Sequence, residues 1–130
     1  MADIVYPGQT PGGTIGQGFL PANYDLVLYR GDYFPMSVTL KNASNVVMNL
    51  TGYTGKASIR MLYEDPVAYN FTVTIPAPTT GVVELVLPSV VSATIAPGSY
   101  VWDFQLTEPN GTNTRTYIAG DVQVYDEVTR

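Results

Sequence analysis

Cysteine and histidine are both absent from the chain. Without thiols there is no disulfide framework and no thiolate metal site. Without imidazole there is no usual general base for a Ser or Cys nucleophile, the commonest zinc ligand is missing, and so is the ordinary switch near neutral pH. Charge is sparse too: 13% of residues are charged, and six basic residues scattered one at a time leave a net charge of −5. No basic stripe can form from them, so neither nucleic acid nor an anionic membrane is an expected partner. The N-terminus MADIVYPGQT has neither a basic n-region nor an apolar h-region. No run approaches the roughly 20 apolar residues that a membrane-spanning helix needs. Synthesis as a soluble cytoplasmic product is the expectation.

What the chain does have is tyrosine, threonine, asparagine, glycine and proline in abundance, a composition suited to short strands joined by turns. Its 130 residues are the size of one domain, large enough to bury a single core without staples. The stretch Ser99 to Val124 organises the rest. Tyr100, Trp102, Phe104 and Leu106 alternate with Val101, Asp103, Gln105 and Thr107, which places the large apolar groups on one face of a strand. Asn110-Gly111, following Pro109, supplies a pair that tolerates positive φ at both centres of a tight turn. The return strand, Thr112 to Tyr125, turns Ile118, Val122 and Val124 to one face, and Ala119-Gly120 is suited to a bulge.

Upstream, Tyr24–Tyr29 and Tyr33–Lys41 read as strands separated by Arg30-Gly31-Asp32, a turn that also spells an integrin-type tripeptide. Phe34, Met36, Val38 and Leu40 alternate inward. Val46 to Leu50 is expected to return beside them. Gly55 to Tyr63 sets Ala57, Ile59, Met61 and Tyr63 inward, and Ala68 to Pro76 does the same with Tyr69, Phe71, Val73 and Ile75. Val82 to Leu87 carries Val83, Leu85 and Leu87 inward, with Glu84 outward. Ser89 to Ile95 allows about two helical turns with Ser89 as N-cap. Seven or eight strands at this spacing predict an all-β fold: a two-layer antiparallel immunoglobulin-like sandwich, with a closed barrel as the alternative.

Residues 1–23 differ in kind. They hold five glycines, three prolines and one charged residue, Asp3. Disordered tails are usually charged and poor in apolar groups. This segment instead spaces Ile4, Val5, Tyr6, Ile15, Phe19 and Leu20 along an uncharged chain that could span roughly 75 Å when extended. The reading is a docking arm whose apolar groups are buried against a partner surface. The domain plan is an arm at 1–23, a sandwich at 24–126 and a polar tail at 127–130.

Chemistry has few candidates. With His and Cys missing, a carboxylate pair is the remaining catalytic design. Asp103 could meet Arg115 or Asp121 across the hairpin, a pairing typical of a sheet surface, while Glu64-Asp65 and Asp126-Glu127 read as solvated turns. No calcium-loop spacing is present, and no metal or cofactor is expected. Tyr24, Tyr29, Tyr33, Tyr53, Tyr117 and Tyr125 remain as surface aromatics for a glycan-binding reading. Sequons at Asn42, Asn49, Asn70 and Asn110 stand without a secretion signal.

The order of Leu50-Thr51-Gly52-Tyr53 with Ala57, Ile59 and Arg60, then Gly81-Val82-Val83-Glu84-Leu85, then Pro97-Gly98-Ser99-Tyr100-Val101-Trp102-Asp103-Phe104-Gln105-Leu106 resembles the small immunoglobulin-like accessory domains of tailed-bacteriophage particles. These include the N-terminal domain of baseplate upper proteins and related head-decorating or tail-associated proteins. The resemblance covers roughly Tyr24 to Tyr125. It implies a non-enzymatic virion protein, made in the host cytoplasm, whose partners are a major capsid protein or tail and baseplate components, with a homo-oligomer among the expected assemblies. Head decoration is the expected placement, with a tail or baseplate position or a carbohydrate-binding adhesion module as alternatives.

Overall fold

The longest alternation in the chain becomes its longest pair of strands. The computed structural model describes Val5–Tyr6 and residues 22–41, 46–62 and 64–128. Its strands are β1 (Val5–Tyr6), β2 (Ala22–Asn23), β3 (Leu26–Tyr29), β4 (Phe34–Leu40), β5 (Thr54–Arg60), β6 (Tyr69–Asn70), β7 (Thr72–Thr74), β8 (Val82–Leu87), β9 (Gly98–Thr107) and β10 (Thr114–Tyr125). One helical turn, α1 (Ser89–Ser92), and a 3-10 turn at Pro78–Thr80 complete the described elements. The first sheet runs β1-β4-β8-β7 and the second β2-β10-β9-β5-β6, with β3 also along β10. This is the two-layer immunoglobulin-like sandwich expected. Pairings among β4 to β10 are antiparallel, whereas β1 on β4, and β2 and β3 on β10, are parallel.

Alternation decides which groups fill the space between the sheets. Tyr100, Trp102, Phe104 and Leu106 of β9 face Val83, Leu85 and Leu87 of β8 in one buried cluster with Val38 and Ile59. Each fully buried side chain of this size contributes about 1.5–3 kcal/mol of transfer free energy. Rings form the centre: Phe71 lies 5.9 Å from Trp102 and 6.5 Å from Phe34. Phe71 also marks a change of sheet. The expected single strand Ala68–Pro76 divides there, β6 pairing with β5 and β7 with β8, while the Phe71 N–H donates to the Ala57 carbonyl at 3.0 Å. The inward set Tyr69, Phe71, Val73 and Ile75 is retained, because the chain passes between layers without rotating its faces.

Several local expectations change. Val46–Leu50 is not a returning strand: an isolated bridge joins Lys41 to Val47, and the segment leads on to β5. β4 is flanked by β8 and β1, and beside its end the Leu40 carbonyl accepts the Met48 N–H at 2.9 Å. Leu50 instead plugs that end of the core, fully buried, with its N–H donated to the Pro78 carbonyl at 2.8 Å. Met61, expected inward, is exposed because β5 ends at Arg60. Tyr63 lies outside the described residues. The helix is a single turn; Pro88 occupies the N-cap and Ser89 is the first helical residue without a capping bond. Ile95 is drawn into the core directly afterwards.

The hairpin loop is wider than the expected two-residue turn. Glu108 N–H donates to the Asn113 carbonyl at 2.8 Å, closing a four-residue loop, and Gly111 N–H donates to the Glu108 carbonyl across Pro109-Asn110. Asn110 Oδ1 accepts from the Thr112 and Asn113 N–H groups, and Gly111, at φ 77°, takes the left-handed position. The bulge is at Tyr117, between the pairs Thr116–Gln105 and Ile118–Phe104, rather than at Ala119-Gly120. That extra residue brings Ile118, Val122 and Val124 inward while leaving Tyr117 buried as well.

Candidate docking surface

The N-terminal segment joins the sandwich through a defined joint. β2 and β3 run along the same side of β10 and are interrupted at Tyr24-Asp25, opposite Gly120. A Cβ built on Gly120 would stand 2.1 Å from the Tyr24 carbonyl oxygen, so the absence of a side chain there is what admits the passing backbone. Trp102, paired with Gly120 across the hairpin, donates its indole Nε1–H to that carbonyl at 2.7 Å. Around the interruption, Tyr24 N–H bonds the Ala119 carbonyl and Asp25 Oδ1 accepts the Asp121 N–H at 2.9 Å. The polar groups freed by the break are therefore satisfied, as buried backbone requires.

Of the six docking residues named from sequence, Val5 and Tyr6 form β1, in register with Thr39 and Leu40 of β4. Ile4, Ile15, Phe19 and Leu20 lie outside the described residues. Ala22–Asn23, the last described part of the segment, is hydrogen-bonded into the second sheet beside Ile118 and Ala119.

The outer face of the second sheet carries several of the exposed apolar groups. Val27, Met61 and Leu62, with Val101, Asp121 and Gln123, line an open groove of about 600 Å³ across β3, β10, β9 and the end of β5. Tyr29 and Tyr125 stack next to it, ring centroids 5.6 Å apart. Among the candidate surface aromatics, Tyr29, Tyr33 and Tyr125 are exposed, Tyr24 and Tyr53 are half-buried, and Tyr117 is buried. Tyr33 is in the turn before β4, and the exposed pair is Tyr29–Tyr125. Sequence reasoning missed the groove because Met61 follows the inward parity of Ala57 and Ile59; the signal was the pair Met61-Leu62 just before the turn at Glu64-Asp65.

Asp103 is opposite Ala119 on β10 and Ser58 on β5, not opposite Arg115 or Asp121. Burial raises its carboxyl above the usual value, and the Arg60 guanidinium on β5 partly opposes that rise. Arg60 also donates to the Asp65 carbonyl, and Ser58 Oγ to Asn70 Oδ1. Such an arrangement fixes a sheet surface. In the Arg30-Gly31-Asp32 turn, Arg30 Nε donates to the Ala93 carbonyl at 3.0 Å, which ties the guanidinium back to the α1 connection. Among the described residues no group of three or more carboxylates is placed to hold a metal ion. Among the described residues no helix is long and apolar enough to cross a membrane.

No family model matches the chain, and none of the curated proteins compared matches it in sequence. Solved structures do share its fold. The N-terminal domain of phage TP901-1 ORF48 superposes with a TM-score of 0.56 at 14% identity, over 96% of this chain and 99% of that one. Weaker likenesses are to Listeria monocytogenes InlP (TM-score 0.42, 11% identity, 80% of this chain and 27% of that one) and to the Lin-41 filamin domain (0.39, 18%, 75% and 82%). At these identities the likeness is one of fold, and the chain shares with the phage domain a β-sandwich matched end to end.

Proposed function

We propose that the chain is a non-enzymatic structural component of a tailed-phage particle, docked through its N-terminal segment with the sandwich displayed outward. One observation carries the reading: the fold match to a phage protein domain spans 96% of this chain and 99% of the other, so the whole architecture corresponds and not only a generic sandwich core. The joint at Tyr24, Gly120 and Trp102 supports it, because it fastens the C-terminal end of the segment to the hairpin through the Tyr24 N–H and carbonyl. Many copies at fixed geometry on a symmetric particle let a modest affinity per copy suffice. The partners are then other virion proteins, and the location is the virion.

Head decoration is the placement proposed. A tail or baseplate position is the second reading, favoured by the family resemblance of Tyr24 to Tyr125 to baseplate upper proteins. Both are tested together by supplying tagged full-length chain, or a chain starting at Ala22, to cells assembling particles that lack the endogenous copy. Purified particles are then separated into heads and tails and blotted. Full-length chain is expected in the head fraction; the truncated chain stays soluble and folded but outside particles. Full-length chain in tails selects the second reading, and its absence from particles overturns the proposal.

A further inference from the structure

We propose that β1 is an exchangeable strand: on the assembled particle, Val5–Tyr6 pairs with Thr39–Leu40 of a neighbouring copy of this chain. The inference rests on reading the N-terminal segment as a docking arm, and it names that arm's partner.

Two observations point to a second copy. First, β1 is two residues long and is placed at the outer edge of the first sheet, beside the last two residues of β4. Strand pairing of this kind is made by main-chain groups, so the same edge on an identical neighbour accepts the same strand. Each chain supplies one such strand and one such edge, the stoichiometry that lets a ring or array of copies close.

Second, fifteen residues, Pro7 to Pro21, separate β1 from β2. Connections between elements in a compact domain are commonly about 4–6 residues. The layers of a sandwich lie about 10 Å apart, while fifteen residues reach about 50 Å when extended. A domain of this size is about 35 Å across. A connection of that length is several times the spacing between the layers and exceeds the width of the domain, long enough to reach the β4 edge of an adjacent copy. Long connections also lower the effective concentration of the strand at its own edge.

The net charge of −5 disfavours contact between free copies, so exchange is expected to be rare in dilute solution and favoured where an array holds copies side by side. In dilute solution β1 occupies its own β4. On the particle the two edges compete at similar effective concentration, and every exchanged strand links neighbours.

The chain contains no cysteine, so an introduced pair is unique. Val5 and Thr39 are register partners across adjacent strands, a separation within the range that a disulfide bridges. Two single variants, Val5→Cys and Thr39→Cys, are purified separately, checked for an unchanged circular dichroism spectrum, mixed, and oxidised mildly. A mixed disulfide between them forms only if the strand leaves its own chain. The double variant is then oxidised as dilute protein, as concentrated protein and on purified particles. The expected result is an intrachain product when dilute and a ladder of covalent oligomers on particles, with the mixed disulfide rising with concentration. Intrachain product alone under all three conditions overturns the exchange, as does failure of the double variant to cross-link at all. The docking reading fails separately, when the chain starting at Ala22 enters particles as well as the full chain does.

Discussion

β10 is held differently on its two sides. Along one, β9 pairs with it antiparallel from Thr114 to Val124; along the other, β2 and β3 are short parallel strands broken at Tyr24-Asp25. The antiparallel side is joined by a local loop and costs little chain entropy to close, whereas the parallel side joins residues about a hundred positions apart. The sandwich is thus closed by its hairpin and annexed by its N-terminal strands. That division suits the proposed docking, in which the sandwich stays rigid while the first residues attach elsewhere.

The largest blow to both sides at once is Trp102→Ala. Trp102 is nearly fully buried, packs on Phe71 and bonds the Tyr24 carbonyl. Urea unfolding should show a loss of about 3–5 kcal/mol. A near-neutral change would mean that the core does not centre on this ring.

Gly120→Ala separates the two sides. Its methyl collides with the Tyr24 backbone but leaves the β9 pairing in place, so a loss of about 1–3 kcal/mol is expected. Exchange of the Tyr24 and Asp121 amides should rise, while the amides of β9 bonded to β5 keep their relative protection. Equal loosening of both sides would show that the incoming strands and the hairpin are one cooperative unit.

The smallest effect sharpens the electrostatics of the hairpin face. Because burial raises the Asp103 pKa in the folded state, ionisation is disfavoured by folding, and its cost appears as pH rises from the ordinary carboxylate range through the folded value. Asp103→Asn lacks that cost. Its melting temperature should exceed that of the parent at neutral pH, and the gain should vanish in acid, where both states are protonated. A lower melting temperature at neutral pH would show that attraction to Arg60 outweighs burial.

Where the sequence repeats with period two it specifies its faces: β8, β9, the end of β10 and Ala57-Ile59 all bury the residues that alternation assigns. Such faces are local properties. Register and pairing partners are not, and there the readings diverge. Asn110-Gly111 sits in a four-residue loop because Pro109 and the Asn110 side chain organise a turn starting at Glu108. The bulge falls at Tyr117, since its place depends on both strands, and Gly120 answers to Tyr24, 96 residues earlier in the chain. For the docking segment, composition marks residues 1–23 as unlike the rest, but nothing local in Val5-Tyr6 announces a parallel partner at Thr39-Leu40.

Amide hydrogen exchange on the full-length chain at low concentration tests most directly the claim that the hairpin closes the fold while the first strand is only lightly held. The β9 and β10 amides that bond each other should exchange only through global unfolding, and the Val5 and Tyr6 amides many-fold faster, through local opening. Protection at Val5–Tyr6 equal to that of the hairpin would make the first strand an integral part of the sandwich and contradict its use as an arm.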